Sequence, residues 1–275
     1  MKKLHAIFCL FIAVLFIFCS CADSEAGQTT QPQTTQTETT EAQPLTVTLT
    51  FSEGMTVSEI AEKLEKNGVC SADQFRHLAD DETTAALYSF YEPEIKSAHR
   101  AFLLEGYIFP DTYEFYYNET AQSAIARFLD NTEQKLDGYR QKAQSAGYTL
   151  DEIMTVASIV QEEAIPAEMK KVSSVIFNRL DSGIQLQCDV TIDYIENSVK
   201  PYKDGEAYAE YYNTYKCAAL PEGPICSPGM EAIDAALEPE QTDYLFFVTD
   251  RADPDIFYYA ADYSTHLVNC EYAGW

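Results

Sequence analysis

The sequence lacks features that several large function classes require. Positive charge is scarce: 18 Lys and Arg stand against 44 Asp and Glu, for a formal net charge of −26. Nucleic-acid binding needs a basic footprint to displace counterions from phosphates, so the charge balance excludes a nucleic-acid partner. It suits a solvated surface outside the cell instead. Metal-ligand spacing is missing too. No C-x2-C pair occurs among the 8 cysteines, and His5, His77, His99 and His266 are scattered along the chain. No metal and no cofactor is therefore expected. No internal repeat is evident. The longest unbroken apolar run, Ala6 to Phe18, falls short of the about 20 residues that a membrane-spanning helix needs.

That run follows Lys2 and Lys3, a basic n-region, and has the length of a signal-peptide core. It ends in Phe18-Cys19-Ser20-Cys21, which resembles a bacterial lipobox with Phe18 where Leu is usual. Residues 1–21 are expected to be a lipoprotein-like signal, with Cys21 lipidated. An uncleaved membrane anchor and a cleaved secretory signal are the alternatives. All three put the remainder outside the cytoplasm, and the first two hold it at the membrane. Residues 22–44 are expected to be a disordered linker, because Gln28 to Pro44 is mostly Thr, Gln, Glu and Pro with no aromatic residue. About 230 residues remain, enough for one medium domain and a smaller partner. With Cys21 acylated, five cysteines remain and at least one is unpaired. Cys217 and Cys226 flank a Pro/Gly-rich loop, and are either a disulfide that closes it or buried free thiols.

The patterning predicts an α+β fold. Val47, Leu49 and Phe51 alternate with Thr46, Thr48 and Thr50, as in a half-buried strand. Thr56-Val57-Ser58-Glu59 has the form of a capping box opening a helix with Ile60, Ala61 and Leu64 inward, and Gly68 stops it. Ala121 to Ala146 favours helix, ended by Gly147. A second capping box, Thr149-Leu150-Asp151-Glu152, opens another helix. Met169, Val172, Ile176 and Leu180 recur at helical spacing, with Gly183 as the stop. Beyond Gln185 the pattern predicts short strands and loops, the last strands at Tyr244–Val248 and Ile256–Tyr259.

Within the helix Asp151 to Ala164, Ile153, Val156, Ile159 and Val160 form the apolar face. Glu163 falls on that face, while Glu162 is turned about 100° away, over Thr155 and Ser158. A carboxyl on an apolar face at a helix end resists ionisation, as a general acid must near neutral pH. Alternatively, Glu163 caps a loop or pairs with an arginine such as Arg179. Gln187, Asp189 and Thr191 alternate along a strand-like segment, lining a cleft or facing solvent. Tyr202, Tyr208, Tyr211, Tyr212 and Tyr215 are either a sugar-stacking set or core.

Together these segments resemble the YceG-like endolytic murein transglycosylases. Leu104 to Tyr113, LEGYIFPDTY, is similar to the family's EGY-hydrophobic-FPDTY motif, and Ala157 to Ala164 to its ASIVE-x-E helix. Asn178-Arg179-Leu180, then Leu186-Gln187-Cys188-Asp189-Val190-Thr191 and Tyr194, follow NRL … LQSDPT-x-x-Y. Tyr212-Asn213-Thr214-Tyr215, Leu220-Pro221, Gly223-Pro224-Ile225 and Pro228-Gly229 resemble YNTY … LPPGPI-x-x-PG. The strand Tyr244 to Val248 and the later His266 complete the series. Cys188, Val190 and Glu222 depart from the family's Ser, Pro and Pro.

The resemblance implies a small LysM-like N-terminal subdomain at 45–100 and a mixed helix/strand catalytic domain at 101–275. It implies cleavage of the MurNAc–GlcNAc bond of nascent peptidoglycan glycan strands, leaving 1,6-anhydro-MurNAc ends. Glu163 is the implied catalytic residue, and Gln161 stands at the motif's other acidic position. Substrate-binding roles are implied for Tyr107, Asn178, Gln187, Asp189, Thr191, Tyr194, Asn213 and Tyr215. The implied partners are glycan strands, the membrane through the anchor, and the wall-synthesis machinery. A muramidase-type hydrolase on the same site and a non-enzymatic wall-binding lipoprotein are the rival readings.

Overall fold

A computed structural model describes residues 45–92, 95, 98–217 and 219–275. The expected signal or anchor at 1–21, with Cys21, and the linker at 22–44 lie outside the described residues. The first strand, β1 (Thr46–Thr50), buries Leu49 and delivers Phe51 to the core. Helices α1 (Val57–Lys66), α2 (Ala72–Ala79) and short α3 (Glu82–Ala85) follow. The Thr56–Glu59 capping box forms as its spacing predicts, and Ile60, Ala61 and Leu64 are buried. Strand β2 (Thr112–Tyr116) then returns antiparallel to β1, Leu49 opposite Tyr113. The closing strand of this N-terminal sheet thus comes from beyond residue 100. Phe51, Phe75, Phe115 and Phe128 pack beneath it, Phe51 edge-on to Phe128 with centroids 5.0 Å apart.

The stretch expected as one helix from Ala121 to Ala146 is two, α4 (Ala121–Lys135) and α5 (Tyr139–Ala146). Gly138 separates them at φ 76°, a left-handed conformation that breaks the hydrogen-bond ladder. Next come α6 (Leu150–Glu163) and α7 (Met169–Asp181). The chain beyond Gln185 is more helical than expected: α8 (Val190–Tyr194) runs into a π-helical turn, Ile195–Val199, and α9 (Glu206–Tyr212) and α10 (Met230–Leu237) follow. The β-branched run from Val190 to Ile195 has strand propensity, and packing overrides it, with Thr191, Tyr194, Ile195 and Val199 buried. Strands β3 (Phe246–Thr249) and β4 (Phe257–Ala260) form an antiparallel hairpin, and α11 (Tyr263–Tyr272) ends the chain.

Helix α6 is the hub, packed by α5, α7, α8 and α10. Every residue from Ile153 to Val160 is buried, so the polar side predicted at Thr155 and Ser158 is enclosed as well. Ser158 is satisfied there: its hydroxyl donates to Thr155 O at 2.8 Å and accepts from Ile225 N at 3.0 Å. Among the described residues no helix is long and apolar enough to cross a membrane. Cys217 and Cys226 are free thiols, so the disulfide alternative does not hold. Cys217 reaches Asn213 O at 3.2 Å, while buried Cys226 reaches Ser158 O at 3.3 Å.

A buried polar set fixes the start of α6. Arg100 Nη1 donates to Asp151 Oδ2 at 2.8 Å, and Tyr107 OH donates to Asp151 Oδ1 at 2.9 Å. Nearby, Glu105 accepts from Val57 N and from Tyr194 OH, both at 2.9 Å, tying the first turn of α1 to α8. Gly106 between them has φ 85°, and a Cβ there would meet Pro224 Cβ at 2.5 Å. Removing one partner of a buried ion pair strands the other. Asp151→Ala is therefore expected to cost about 3 kcal/mol of unfolding free energy in urea titration. An unchanged midpoint would show that Arg100 finds other solvation.

Candidate active site

Glu163 is the last residue of α6, where Ala164 turns to extended backbone. No basic residue lies in that last turn, and the helix's partial negative charge points at the carboxyl. The side chain is half-buried and opens on a cleft of about 380 Å³ lined by Arg179, Gln187, Asp189, Tyr215, Phe246 and His266, among others. Burial is the main reason its pKa rises, to about 7. The Asp189 carboxylate adds to the rise, a hydrogen bond from the Cys188 thiol opposes it, and Glu162 and Asp193 add a little more. Glu163 thus keeps a substantial protonated fraction near neutral pH. Glu162 opens on a separate groove beside Glu59 and Asp193, as the helix phase predicts.

The loop before α8 forms one wall. Gln187 sits at φ 58°, a left-handed conformation uncommon outside glycine. Two partners hold it: its N–H donates to Thr214 O at 3.1 Å, and its Oε1 accepts from Arg179 Nη2. Thr214, wholly buried, clamps the next residues. Its hydroxyl accepts from Cys188 N at 2.9 Å and lies 3.1 Å from Thr191 Oγ1. Asn213 Oδ1 accepts from Tyr215 N at 3.0 Å, which sets the turn that aims Tyr215 outward. Tyr215 OH then donates to Asp189 Oδ1 at 2.7 Å.

Of the residues singled out in the sequence, the structure brings Glu163, Gln187, Asp189 and Tyr215 together on this cleft. Thr191 and Asn213 brace the loop from behind. Helix formation from Val190 turns Thr191 into the core, so the expected alternation along 187–191 stops at Asp189. Asn178 is not on the cleft: its Nδ2 donates to Thr242 O at 3.0 Å and Tyr244 O at 2.9 Å, steadying the approach to β3. Tyr107 and Tyr194 are buried with their hydroxyls on Asp151 and Glu105. Asp151 lies about 18 Å along α6 from Glu163 at 1.5 Å per residue, so Tyr107 is remote from the carboxyl. Of the five tyrosines considered for sugar stacking, Tyr215 lines the cleft and Tyr212 is core.

Arg179 does line the cleft, yet no ion pair joins it to Glu163 among the described residues. Its guanidinium donates instead to Gln185 O at 2.8 Å and Leu245 O at 3.0 Å. Sequence reasoning assigned no site role to Phe246, Phe247, Tyr263 or His266, which supply the remaining wall. A signal for three of them was present in the motif series, which already included the strand Tyr244 to Val248 and His266.

Glu163 gives a stability signature with a definite sign. A carboxyl whose pKa is raised on folding binds its proton more tightly in the folded state. Stability then falls as pH rises from the unfolded carboxyl value, 4.5, to about 7. Glu163→Gln is expected to raise Tm relative to wild type at pH 8 and to leave it nearly unchanged at pH 4. Equal Tm differences at the two pH values would contradict the shifted carboxyl.

Comparison with known proteins gives a consistent result. Residues 26–272 match the model of the YceG-like family. An endolytic murein transglycosylase of Bacillus subtilis is 32% identical over 219 residues, covering 76% of this chain and 61% of the relative. One from Streptococcus pneumoniae is 28% identical over 253 residues, covering 85% of this chain and 44% of the relative. The chain therefore spans about half the length of these curated relatives. The crystal structure of a yceG-like protein from Listeria monocytogenes superposes with a TM-score of 0.71 at 26% identity, over 81% of this chain and 75% of that one.

Proposed function

The chain belongs to the YceG-like family, and on that premise we propose that it is an endolytic peptidoglycan lytic transglycosylase with Glu163 as its single general acid. The observation that carries this reading is the half-buried carboxyl of Glu163 on an open cleft, its pKa raised to about 7, chiefly by burial. Glu163 gives its proton to the glycosidic oxygen as the MurNAc C1–O bond breaks. The C6 hydroxyl of the same MurNAc forms the new bond to C1, and the carboxylate takes the hydroxyl proton, so the acid is regenerated. The products are a 1,6-anhydro-MurNAc end and a free GlcNAc hydroxyl, and no water is consumed. Holding the C6 hydroxyl beside C1 is an intramolecular advantage that hydrolysis lacks.

The other residues take graded roles in this proposal. Gln187 and Asp189 face the saccharide, and Tyr215 orients Asp189. Thr191 and Asn213 brace the loop, and Asn178 holds the chain before β3. Tyr107 and Tyr194 act from the core by fixing α6 and α8. Residues 45–100 serve as a LysM-like unit that holds glycan, with β2 as the closing strand. The enzyme works on nascent strands beside the wall-synthesis machinery, at the extracytoplasmic face, tethered through lipidated Cys21 and the 22–44 linker.

One observation favours a second reading. Asp189 places another carboxylate on the same cleft, and a muramidase-type hydrolase uses two. The products separate the two, since hydrolytic ends are heavier by one water. By mass spectrometry of digested sacculi, wild type is expected to release anhydro ends, and Glu163→Gln to lower their rate by about 10²- to 10⁴-fold. Reducing ends alone would establish the hydrolase. Asp189→Asn is expected to keep anhydro products while moving the alkaline limb of kcat/KM to lower pH. Removing that negative charge lowers the Glu163 pKa, so the acid form is lost earlier as pH rises. Complete loss of turnover in Asp189→Asn would favour a second catalytic carboxylate.

A further inference from the structure

Gln187 is exposed on the cleft, and one end of its side-chain amide is fixed. Its Oε1 accepts from Nη2 of Arg179. Arg179 is itself buried and pinned: Nε donates to Gln185 O at 2.8 Å, and Nη1 donates to Leu245 O at 3.0 Å. Its guanidinium also stands over the Phe246 ring, 5.3 Å from the centroid. A guanidinium donates and never accepts, so only the oxygen end of the Gln187 amide can face it. The backbone adds a second restraint, because Gln187 at φ 58° is held by its N–H bond to Thr214 O at 3.1 Å.

The nitrogen end is therefore the one left for a ligand. Nε2 has no hydrogen-bond partner among the described residues, and it belongs to an exposed side chain rather than an enclosed one. The groups around it supply mostly acceptors, the carboxyls of Glu163 and Asp189. Neighbouring donors are engaged: Arg179 as above, and Tyr215 OH on Asp189 Oδ1 at 2.7 Å. A glycan strand brings two kinds of polar group to such a wall. Its hydroxyls both donate and accept, so carboxylates satisfy them, whereas its acetamido carbonyls only accept. A free amide N–H donor beside acceptor groups is complementary to the carbonyl.

We propose that Arg179 and Gln187 form an acetamido-recognition pair, in which Gln187 Nε2 donates to the carbonyl oxygen of an N-acetyl group of the glycan. Arg179 is the positioning residue, since it decides which end of the amide meets the substrate. This rests on the glycan-strand reading of the cleft and names the substituent that the cleft selects. De-N-acetylated strands carry an amine in place of that carbonyl and leave Nε2 without an acceptor. The enzyme therefore prefers N-acetylated strands, and the preference resides in one oriented amide.

The test compares kcat/KM for anhydro-end release on N-acetylated and chemically de-N-acetylated strands, with strands re-acetylated by acetic anhydride as the control. Wild type is expected to be roughly three- to tenfold slower on de-N-acetylated strands and to recover on the re-acetylated ones. Gln187→Met keeps the length of the side chain without a donor or a charge. Gln187→Glu keeps an acceptor for Arg179, and so the loop, but has no donor. In both, the preference is expected to shrink by about threefold or more. Arg179→Lys keeps the charge but loses the guanidinium fork, which frees the amide to turn over, and is expected to shrink the preference as well. A purely structural defect would slow both substrates alike. Relative oligomer affinity by calorimetry in a Glu163→Gln background gives the same comparison for a variant too slow to assay. A wild type that releases anhydro ends without preference overturns the inference and leaves the function intact. So does the full wild-type preference in Gln187→Met, in Gln187→Glu or in Arg179→Lys. If wild type releases no anhydro ends, the reading of the cleft fails and this inference falls with it.

Discussion

The cleft depends on how fully α6 is enclosed. Its residues from Ile153 to Val160 are inside the protein, and the helix meets solvent only at its two ends, around Glu152 and from Gln161 onward. The acidic residues there divide by helix phase: Glu162 turns to an outer groove and Glu163 to the cleft. For Glu163 the short distance from the core is decisive. A carboxylate there would give up much of its hydration and would face Asp189 and the negative end of its own helix, and among the described residues no cation is paired with it. The carboxyl holds its proton to higher pH than an ordinary carboxyl because the charge has nowhere favourable to go.

The same helix is fixed at its other end by groups that never meet substrate. Asp151 joins Arg100 and Tyr107, while Glu105 joins Tyr194 and the first turn of α1. Burial raises the Glu105 pKa to about 7, with the hydrogen bonds from Val57 and Tyr194 opposing the shift. These contacts tie the N-terminal strand–helix unit to α6 and α8. The loop carrying Gln187 and Asp189 is in turn clamped by Thr214, and its left-handed residue is tolerated because Arg179 and Thr214 both hold it. Motifs that read as substrate contacts in the sequence thus divide into those that touch the cleft and those that hold its parts in register.

Local rules made much of this legible. Both capping boxes, the β1 alternation and the stop at Gly183 depend on neighbours within a few residues, and each appears where the spacing puts it. The phase that separates Glu163 from Glu162 is a property of one helix and was legible for the same reason. Long-range packing was not. Nothing near Thr155 or Ser158 announces that Ile225 will satisfy the hydroxyl of Ser158, so a buried side read as a polar one. The β-branched run at 190–195 is helical, with Thr191, Tyr194 and Ile195 buried and Tyr194 bonded to Glu105 far away in sequence. The aromatic wall comes from β3 and α11, brought to Glu163 by tertiary folding alone, and no spacing within the chain connects them.

Burial and, after it, Asp189 raise the Glu163 pKa to about 7, well above the ordinary carboxyl value. The most direct measurement is a titration of its carboxyl carbon by NMR in protein with ¹³C-labelled glutamate, assigned by the loss of one resonance in Glu163→Gln. The predicted result is a midpoint near 7. It should fall when Asp189 is replaced by Asn. A midpoint at the ordinary carboxyl value, 4.5, unmoved by that replacement, would contradict the account.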